Sequence, residues 1–404
     1  MLAQFYPPIM GGEENAVQSL SRELVARGHE VHVATTADGA DAQTADDQGV
    51  HVHRLPTLLS RTDRLYTTSR RHLPPGPEPA LTRELHRLAR AVRPDVVHAH
   101  NWIVHSYVPV KRRIGAPLAL SLHDFSLRCA TKRFLRHREP CSGPGPVKCM
   151  GCAQAHYEGA RGACIAALLG LTGPVQRRRL DHLLPVSSFL VDALELDRYG
   201  VPCDVIPNFI PGELLPAAAA ARDLSLPDGD IVLFAGDLSR DKGFDVLLRA
   251  APRLAGRARI VALGRPVDVS LDEARRAGVT VLEPVSRPTL LRAFDASTVT
   301  VVPSTWREPF GLVALESMAV GGTVVASATG GLTDMVEDGV SGLLVRPGDP
   351  DALADATLRL LDDQALRVRL GDVARARVED VFSACAVLPR VEAVYERLAA
   401  GVPS

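Results

Sequence analysis

Two glutamates follow a short apolar run in the second half of the chain, at a spacing that suits one ligand. Glu308 and Glu316 are eight residues apart, with Gly311 between them. The preceding run, 299–302, predicts a strand, and the residues after Gly311 predict a helix. Amides at the start of a helix favour a phosphate or a sugar hydroxyl, and a carboxylate accepts hydrogen bonds from a diol. The alternative for Glu316 alone is a solvated helix residue.

Apolar runs that alternate with helical segments must position these side chains. The runs are apolar on both faces, which is typical of strands in a parallel sheet covered by helices. Apolar residues at helical spacing connect them, and this alternation predicts a doubly wound α/β fold. The predicted strands are 30–34, 95–99, 117–122, 231–235, 260–263, 299–302 and 323–326, and the predicted helices include 16–27, 83–91, 245–254 and 351–361.

Chain length and one change in composition divide the sequence into two domains. A chain of 404 residues is too long to fold around one ordinary hydrophobic core. Prolines interrupt the pattern at 207–211 and an alanine-rich run follows at 217–221, after which the strand pattern restarts. We therefore predict Rossmann-like domains at 1–206 and 207–384, with a C-terminal helix, 385–404, that packs on the first domain.

Composition and charge indicate a soluble globular protein and argue against a nucleic-acid-binding one. Hydrophobic residues make up 46% of the chain and charged residues 23%, as in soluble globular proteins. Residues 111–179 carry 13 basic and 3 acidic side chains, but lack the interleaved aromatic residues of a nucleic-acid platform. This stretch predicts either a solvated face or contact with an anionic membrane or acceptor. We expect a cytoplasmic protein, peripheral at the inner face of the membrane, with no nucleic-acid partner.

Four cysteines cluster in a segment, 129–164, that is rich in glycine and predicts an insertion in the first domain. Cys149 and Cys152 form a CxxC pair, and Cys129 and Cys141 precede it. A CxxC pair in a glycine-rich, polar segment is typical of structural zinc sites. We predict zinc at these four thiols, ahead of reduced thiols or disulfides.

Several short motifs occur in an order that resembles family 4 of the glycosyltransferases, retaining enzymes of the GT-B fold. Glu308 and Glu316 match the paired-glutamate motif of that family. The resemblance covers nearly the whole chain, and it is specific because motifs that are weak alone occur together. The further motifs are Phe5–Glu13, Arg27–Val31, Asp95–His100, Leu122–Asp124, Ile206–Asn208, Lys242–Gly243, Thr329–Leu332 and Gly339–Val345.

The resemblance implies two Rossmann-like domains that face a central cleft, with the acceptor on the first and a nucleotide-sugar donor on the second. Glu316 would hold the ribose of the donor. Glu308 and the amides of Phe310, Gly311 and Leu312 would bind the donor sugar and the diphosphate.

The resemblance also implies roles for residues outside the glutamate motif. Lys242 would neutralise the diphosphate as a compact cation. The amides of Gly11 and Gly12 would face the donor phosphates. His123, which ends a predicted strand, would contact the donor sugar or phosphate and is the second candidate catalytic residue beside Glu308.

The chain departs from the family pattern at two places. Asp237 stands where the family carries an arginine that binds the diphosphate, and Arg240 is the candidate to replace it. An acidic group near phosphate is unfavourable unless it is turned away or paired. The first strand is short, which predicts that the natural start lies upstream of Met1.

The resemblance implies transfer of a sugar from a nucleotide-diphosphate donor to a hydroxyl group, a reaction of the EC 2.4 class. The acceptor would be a glycan, a lipid-linked molecule or a small molecule. The leaving diphosphate would take the proton of the acceptor, and no cofactor would be needed. P-loop, nucleophile-elbow and zinc-protease motifs do not occur in the sequence. The alternatives are a nucleotide-sugar epimerase of the same architecture and a catalytically weak nucleotide-sugar-binding protein.

Overall fold

The chain folds into two compact units in a computed structural model, which describes residues 1–9, 11–37, 42–58, 72–137, 139–157, 159–222 and 224–401. The first unit comprises Met1–Pro207 and Leu388–Ser404, and the second comprises Asn208–Val387.

The first unit alternates strands and helices from its start. Its strands are β1 (Leu2–Ala3), β2 (His32–Thr36), β3 (Gln43–Asp47), β4 (Val50–Leu55), β5 (Val97–His100), β6 (Leu118–Leu122), β7 (Leu135–Arg136), β8 (Glu139–Pro140) and β9 (His182–Pro185). Its helices are α1 (Gly12–Ala26), α2 (Pro79–Val92), α3 (Val104–Tyr107), α4 (Lys111–Ile114), α5 (Pro146–Tyr157), α6 (Ala160–Arg177) and α7 (Ser188–Leu194), with 3₁₀ turns at Asn101–Ile103 and Leu196–Tyr199.

This unit is built around a seven-stranded sheet with the strand order β3-β4-β2-β1-β5-β6-β9. Its neighbouring strands are parallel except for β3 and β4. β5 and β6 are buried along their whole length, as expected of strands between two helical layers. The two-residue strand β1 lies at the centre of the sheet, between β2 and β5. The chain therefore leaves β1, β5 and β6 at one edge of the sheet, where Gly11, Asn101 and His123 follow.

The second unit repeats the alternation around its own sheet. Its strands are β10 (Ile231–Ala235), β11 (Arg259–Leu263), β12 (Val279–Leu282), β13 (Val299–Val302), β14 (Val324–Ser327) and β15 (Leu343–Val345). Its helices are α8 (Leu214–Ala220), α9 (Phe244–Leu254), α10 (Leu271–Arg276), α11 (Arg287–Ala296), α12 (Leu312–Ala319), α13 (Leu332–Met335), α14 (Pro350–Asp362) and α15 (Gln364–Val381), and α16 (Ala384–Ala399) leads back into the first unit.

The six strands of the second sheet are parallel in the order β12-β11-β10-β13-β14-β15. β10 and β13 match the predicted strands residue for residue, and both are fully buried. Phe234 and Phe244 belong to the apolar cluster on one face, and Ile231 and Phe294 belong to the cluster on the other. Burial on both faces explains why these strands are apolar throughout, and it confirms the predicted doubly wound fold.

The cysteine-rich segment is more regular than the sequence indicated. It forms the β7–β8 pair, α5 and the start of α6, so that Cys149 and Cys152 lie on a helix. A Cβ atom at Gly162 would lie 2.0 Å from the backbone oxygen of Ala153. Gly162 therefore lets α5 and α6 approach closely, so this glycine serves helix packing and not a loop. No helix among the described residues is long and apolar enough to cross a membrane.

Candidate active site

The loop between β13 and α12 carries the first glutamate of the predicted pair. It leaves the sheet at the carboxyl end of β13, and α12 begins after Gly311, whose φ is +110°. A Cβ atom at Gly311 would lie 2.5 Å from Leu332 Cδ2, so both the backbone angle and the space require glycine. The amides of the first turn of α12 have no acceptor within the helix, and they are placed to bind an anion.

Glu308 lies buried in this loop and contacts two side chains. Lys242 Nζ donates to Glu308 Oε1 at 2.7 Å, and Ser304 Oγ donates to the same oxygen at 2.7 Å. The relative exposure is 33% for the Lys242 side chain and 8% for that of Glu308. The structure therefore brings together two residues that the sequence predicted separately, and it adds Ser304, which we did not predict.

The loop that carries Lys242 is held against the loop of Glu308 by backbone contacts. The carbonyl oxygen of Asp241 accepts hydrogen bonds from the amides of Thr305 and Trp306, each at 3.0 Å. Gly243 has a φ of +71°, and a Cβ atom there would lie 1.8 Å from the backbone oxygen of Pro303. The two loops thus form one rigid surface after β10 and β13.

Arg240, the candidate to replace the missing arginine, lies on the same loop as Lys242. Its residue is exposed, its amide donates to Asp268 Oδ1 at 2.8 Å, and its carbonyl oxygen accepts from Thr305 Oγ1 at 2.7 Å. These bonds fix the backbone of Arg240, while the residue as a whole is exposed. Asp237 is exposed and lies 3.6 Å from Arg265, so its charge is partly offset.

Glu316 lies on α12 and is 6% exposed, which shows that the solvated alternative is wrong. Arg287 Nε, at the start of α11, donates to Glu316 Oε1 at 2.5 Å. Burial raises the pKa of Glu316, and Arg287 opposes that shift. The two predicted glutamates therefore each have a cation of their own, Lys242 for Glu308 and Arg287 for Glu316.

In the first unit, Gly11 and Gly12 form the start of α1. Gly11 is the N-cap residue in an extended conformation, and Gly12 is the first residue of the helix and is exposed. Glu13 and Glu14 follow in the first turn. An ionised carboxylate in this turn competes with an anion for the amides of the helix end, because the helix dipole attracts both.

His123 follows β6 directly and lies against a second histidine. His123 Nε2 and His100 Nδ1 are 3.0 Å apart, and their stacked rings have centroids 5.2 Å apart. Burial lowers the pKa of His123 to about 4. His123 is therefore neutral at pH 7, which suits a hydrogen bond to a sugar hydroxyl better than a charge contact with phosphate.

Beside His123 lies a polar cluster that the sequence did not predict. Asn101 Nδ2 donates to Glu13 Oε2 at 2.9 Å, and Lys132 Nζ donates to Asn101 Oδ1 at 2.6 Å. Lys132 also lies 4.0 Å from Asp124 and 4.4 Å from the ring centroid of Trp102. Asn101 and Lys132 both have positive φ, at 63° and 61°, a conformation that residues other than glycine rarely adopt. The only signal in the sequence was the scarcity of lysine, since Lys132 is one of four.

The pKa of Glu13 predicts a dependence of stability on pH. Removal from solvent raises this pKa to about 7, and the charge of Asp124 adds to the shift. In the unfolded chain a glutamate ionises near pH ~4.3. Between these two values the native state binds more protons than the unfolded state, so the free energy of unfolding falls as pH rises, and it levels off above about pH 7.

We expect Glu13→Gln to remove this slope, because the amide stays neutral at every pH. Relative to the wild type, the variant should gain about 1–3 kcal/mol of stability between pH 5 and pH 8, since one pKa unit corresponds to ~1.4 kcal/mol. Urea unfolding followed by Trp102 fluorescence in a Trp306→Phe background would report on the first unit. Glu84→Gln on α2 controls for loss of a carboxylate; equal slopes in both variants would contradict the prediction.

The four predicted zinc ligands do not form a metal site in the structure. All seven cysteines are free thiols, and among the described residues no three thiol sulfurs lie within 4.8 Å of one another. The four have separate hydrogen-bond partners: Thr131 for Cys129, Gly143 for Cys141, Gly145 for Cys149 and Leu135 for Cys152. Burial and the neighbouring three thiols raise the pKa of Cys152. The cysteines are thus neighbours without the spacing of zinc ligands, and the structure does not support the predicted zinc.

Two family models match the chain. One, described as Glycosyltransferase Family 4, matches residues 10–213. The other, described as Glycosyl transferases group 1, matches residues 229–363.

Named relatives match across most of the chain. A D-inositol 3-phosphate glycosyltransferase from Xylanimonas cellulosilytica is 33% identical over 390 residues, which cover 91% of this chain and 87% of that protein. A protein of the same name from Stackebrandtia nassauensis is 32% identical over 390 residues, with coverages of 89% and 81%.

Solved structures resemble the whole chain as well. Sucrose-phosphate synthase from Thermosynechococcus elongatus has a TM-score of 0.74 at 24% identity, with 97% of this chain and 94% of that chain covered. HepE from Anabaena in complex with UDP-glucose has a TM-score of 0.67 at 18% identity, with 98% of each chain covered. At these identities the two likenesses show the fold.

Proposed function

The chain belongs to glycosyltransferase family 4, and we propose on that premise that it transfers a sugar from a nucleotide-diphosphate donor to a hydroxyl group with retention of configuration. The observation that carries the proposal is the contact of Glu308 with Lys242 and Ser304, next to the start of α12. An ammonium group, free helix amides and a buried carboxylate meet there, and these groups suit a diphosphate bonded to a sugar.

Each group of this surface has a role in donor binding under the proposal. Lys242 and the amides of Phe310, Gly311 and Leu312 hold the diphosphate, and Glu308 accepts a hydrogen bond from the donor sugar. Glu316 accepts hydrogen bonds from the ribose, and Arg287 fixes its carboxylate. Arg240 has freedom to approach the diphosphate because its side chain lies in solvent.

The transfer step needs stabilisation of negative charge more than it needs a nucleophile. The bond between the anomeric carbon and the diphosphate oxygen breaks, and the acceptor oxygen forms the new bond on the same face. The acceptor proton passes to the leaving diphosphate. Lys242 and the helix amides stabilise the charge that develops there, and preorganised donors of this kind contribute most to catalysis of such steps.

The acceptor is proposed to be a phosphorylated polyol bound by the first unit. Relatives that cover most of the chain are named for D-inositol 3-phosphate. The cluster of Glu13, Asn101 and Lys132 offers an ammonium group for a phosphate and two side chains for hydroxyl groups. His123, neutral at pH 7, adds a further partner for a hydroxyl.

The proposal is tested by donor binding followed by transfer. Thermal shifts with uridine, guanosine and adenosine diphosphates identify the base, and the matching nucleotide sugars are then incubated with inositol phosphates. Nuclear magnetic resonance of the anomeric proton should show a product with the configuration of the donor. Donor binding without turnover would indicate a binding protein, and conversion of the donor sugar without an acceptor would indicate an epimerase. An inverted product would refute retention.

We further propose that α6 contacts an anionic membrane surface. Leu171 and Val175 lie one turn apart on α6 and are 74% and 49% exposed. Arg178, which follows the helix, is also exposed. Exposed apolar side chains beside cations favour binding to anionic lipid.

Replacing Leu171 by aspartate should weaken binding to vesicles that contain phosphatidylglycerol about tenfold, because it adds a charge that lipid phosphates repel and removes buried apolar area. Vesicle co-sedimentation measures the effect. Val368→Asp is the matched control, since Val368 is 56% exposed on α15 in the other unit. Equal binding of the wild-type protein to anionic and neutral vesicles would refute the proposal.

A further inference from the structure

A row of polar side chains crosses three neighbouring strands of the first sheet, at the end of the strands opposite to Gly11 and His123. His32 is the first residue of β2 and pairs with His51 on β4, which in turn pairs with Asp46 on β3. His53 follows two residues after His51 and points to the same face. Since β2 and β4 are parallel, His32 and His51 lie at their amino-terminal ends, whereas Gly11 and His123 follow the carboxyl ends of β1 and β6.

Glu30, which precedes β2, meets His32 and His51 at the spacing of metal ligands. One ligand atom from each of Glu30, His32 and His51 lies within 4.8 Å of the other two. His32 Nε2 is 2.9 Å from Glu30 Oε1, and the centroids of the His32 and His51 rings are 4.8 Å apart.

A fourth residue fixes the orientation of the central histidine. His32 Nδ1 lies 2.9 Å from His53 Nε2, and the two rings are stacked with centroids 5.2 Å apart. When His32 donates its Nδ1 proton to His53, the lone pair of its Nε2 faces Glu30 and His51. Histidines that bind metals commonly donate their other ring proton in this way.

We propose that Glu30, His32 and His51 bind a divalent transition metal, with zinc as the best fit, and that His53 is a positioning residue for His32. Two imidazoles and one carboxylate suit zinc, nickel or copper more than magnesium or calcium. Zinc bonds of about 2.0–2.1 Å in a tetrahedral site place the ligand atoms roughly 3.4 Å apart. The 2.9 Å contact of His32 with Glu30 would therefore open slightly on binding. Glu30 and His51 are exposed and can rotate to reach the required spacing. Such a metal would link β2 to β4 and leave a coordination position to water.

The proposal is tested by zinc titration of untagged protein after dialysis against a chelator. Calorimetry should show one fewer zinc bound per chain in His32→Ala and in His51→Ala than in the wild type. His53→Ala should retain the stoichiometry with affinity lowered about 10-fold to 100-fold, as expected for the loss of an orienting hydrogen bond. His86→Ala, which removes a histidine of α2 in the same unit, should bind zinc like the wild type. The cysteines are the same in every variant, so their binding cancels in the difference.

Equal zinc stoichiometry in the wild type, His32→Ala and His51→Ala would overturn the proposal. A second measurement does not depend on the folding of variants. X-ray absorption at the zinc edge of the wild-type protein loaded with one equivalent should show nitrogen and oxygen ligands with the scattering pattern of imidazole. A shell of sulfur atoms would refute the site and assign the first zinc to the cysteines instead.

Discussion

Replacing Lys242 by alanine is expected to lower kcat/KM about 100-fold to 1,000-fold, the loss that follows removal of one preorganised group at a developing charge. Lys242 contacts Glu308 at 2.7 Å, and it is the cation that we place at the leaving diphosphate. The substitution takes the ammonium group from the diphosphate and the ionic partner from a buried carboxylate. Initial rates at varied donor concentration measure the effect.

Two variants separate this role from a loss of folding. Lys242→Ala leaves Glu308, whose side chain is 8% exposed, without its cation and should also lower stability, so thermal unfolding is measured beside the rates. Lys242→Arg keeps the charge with a different shape and should give an intermediate loss. Lys148→Ala removes a lysine that donates to Ser142 Oγ at 3.1 Å in the first unit, and it should leave the rate unchanged. A rate for Lys242→Ala within about threefold of the wild type would exclude the proposed role.

Glu316→Gln should weaken donor binding about 10-fold to 100-fold, because hydrogen bonds to a charged group contribute roughly 1.5–3 kcal/mol. It should also lower stability, since Arg287, whose side chain is 19% exposed, loses its counter-charge. A single variant therefore cannot separate a ligand contact from a structural ion pair. Calorimetric titration with the nucleoside diphosphate and thermal unfolding should be measured together.

The double variant Glu316→Gln with Arg287→Gln distinguishes the two roles. With a neutral glutamine at both positions, no buried charge lacks a partner. The melting temperature should therefore recover towards that of the wild type. Donor affinity should stay low, because the carboxylate that accepts the ribose hydroxyls is still absent. Recovery of both quantities would show that Glu316 acts only as the partner of Arg287.

Local sequence patterns predict strand boundaries well where a strand is buried on both faces, because burial then requires apolar residues along the whole strand. The strands 231–235 and 299–302 were predicted to the residue because an apolar run in a parallel sheet ends where the chain leaves the core. In the first unit β2 begins at His32 instead of residue 30. The residues at that end of the strand are polar, so the apolar pattern did not locate its first residue.

Composition gave a wrong prediction where glycine can serve either a turn or close helix packing. The glycine-rich segment 129–164 indicated an irregular insertion with a zinc site. Gly162 instead permits contact between α5 and α6, and the CxxC pair lies on α5, where its backbone is helical. Residue type alone does not tell a turn glycine from one that allows close helix packing.

The sequence by itself determined the doubly wound sheets and the position of Glu308, Gly311 and Glu316 around the start of one helix, since all of these follow from periodicity within a few residues. Only the tertiary structure decided the charges around them. Lys242 and Arg287 are 66 and 29 residues from their glutamates, and Glu13 is 88 residues from Asn101. Such contacts arise because parallel strands bring distant loops to one edge of a sheet, and no local pattern encodes which loop side chains meet there or how far burial shifts their pKa values.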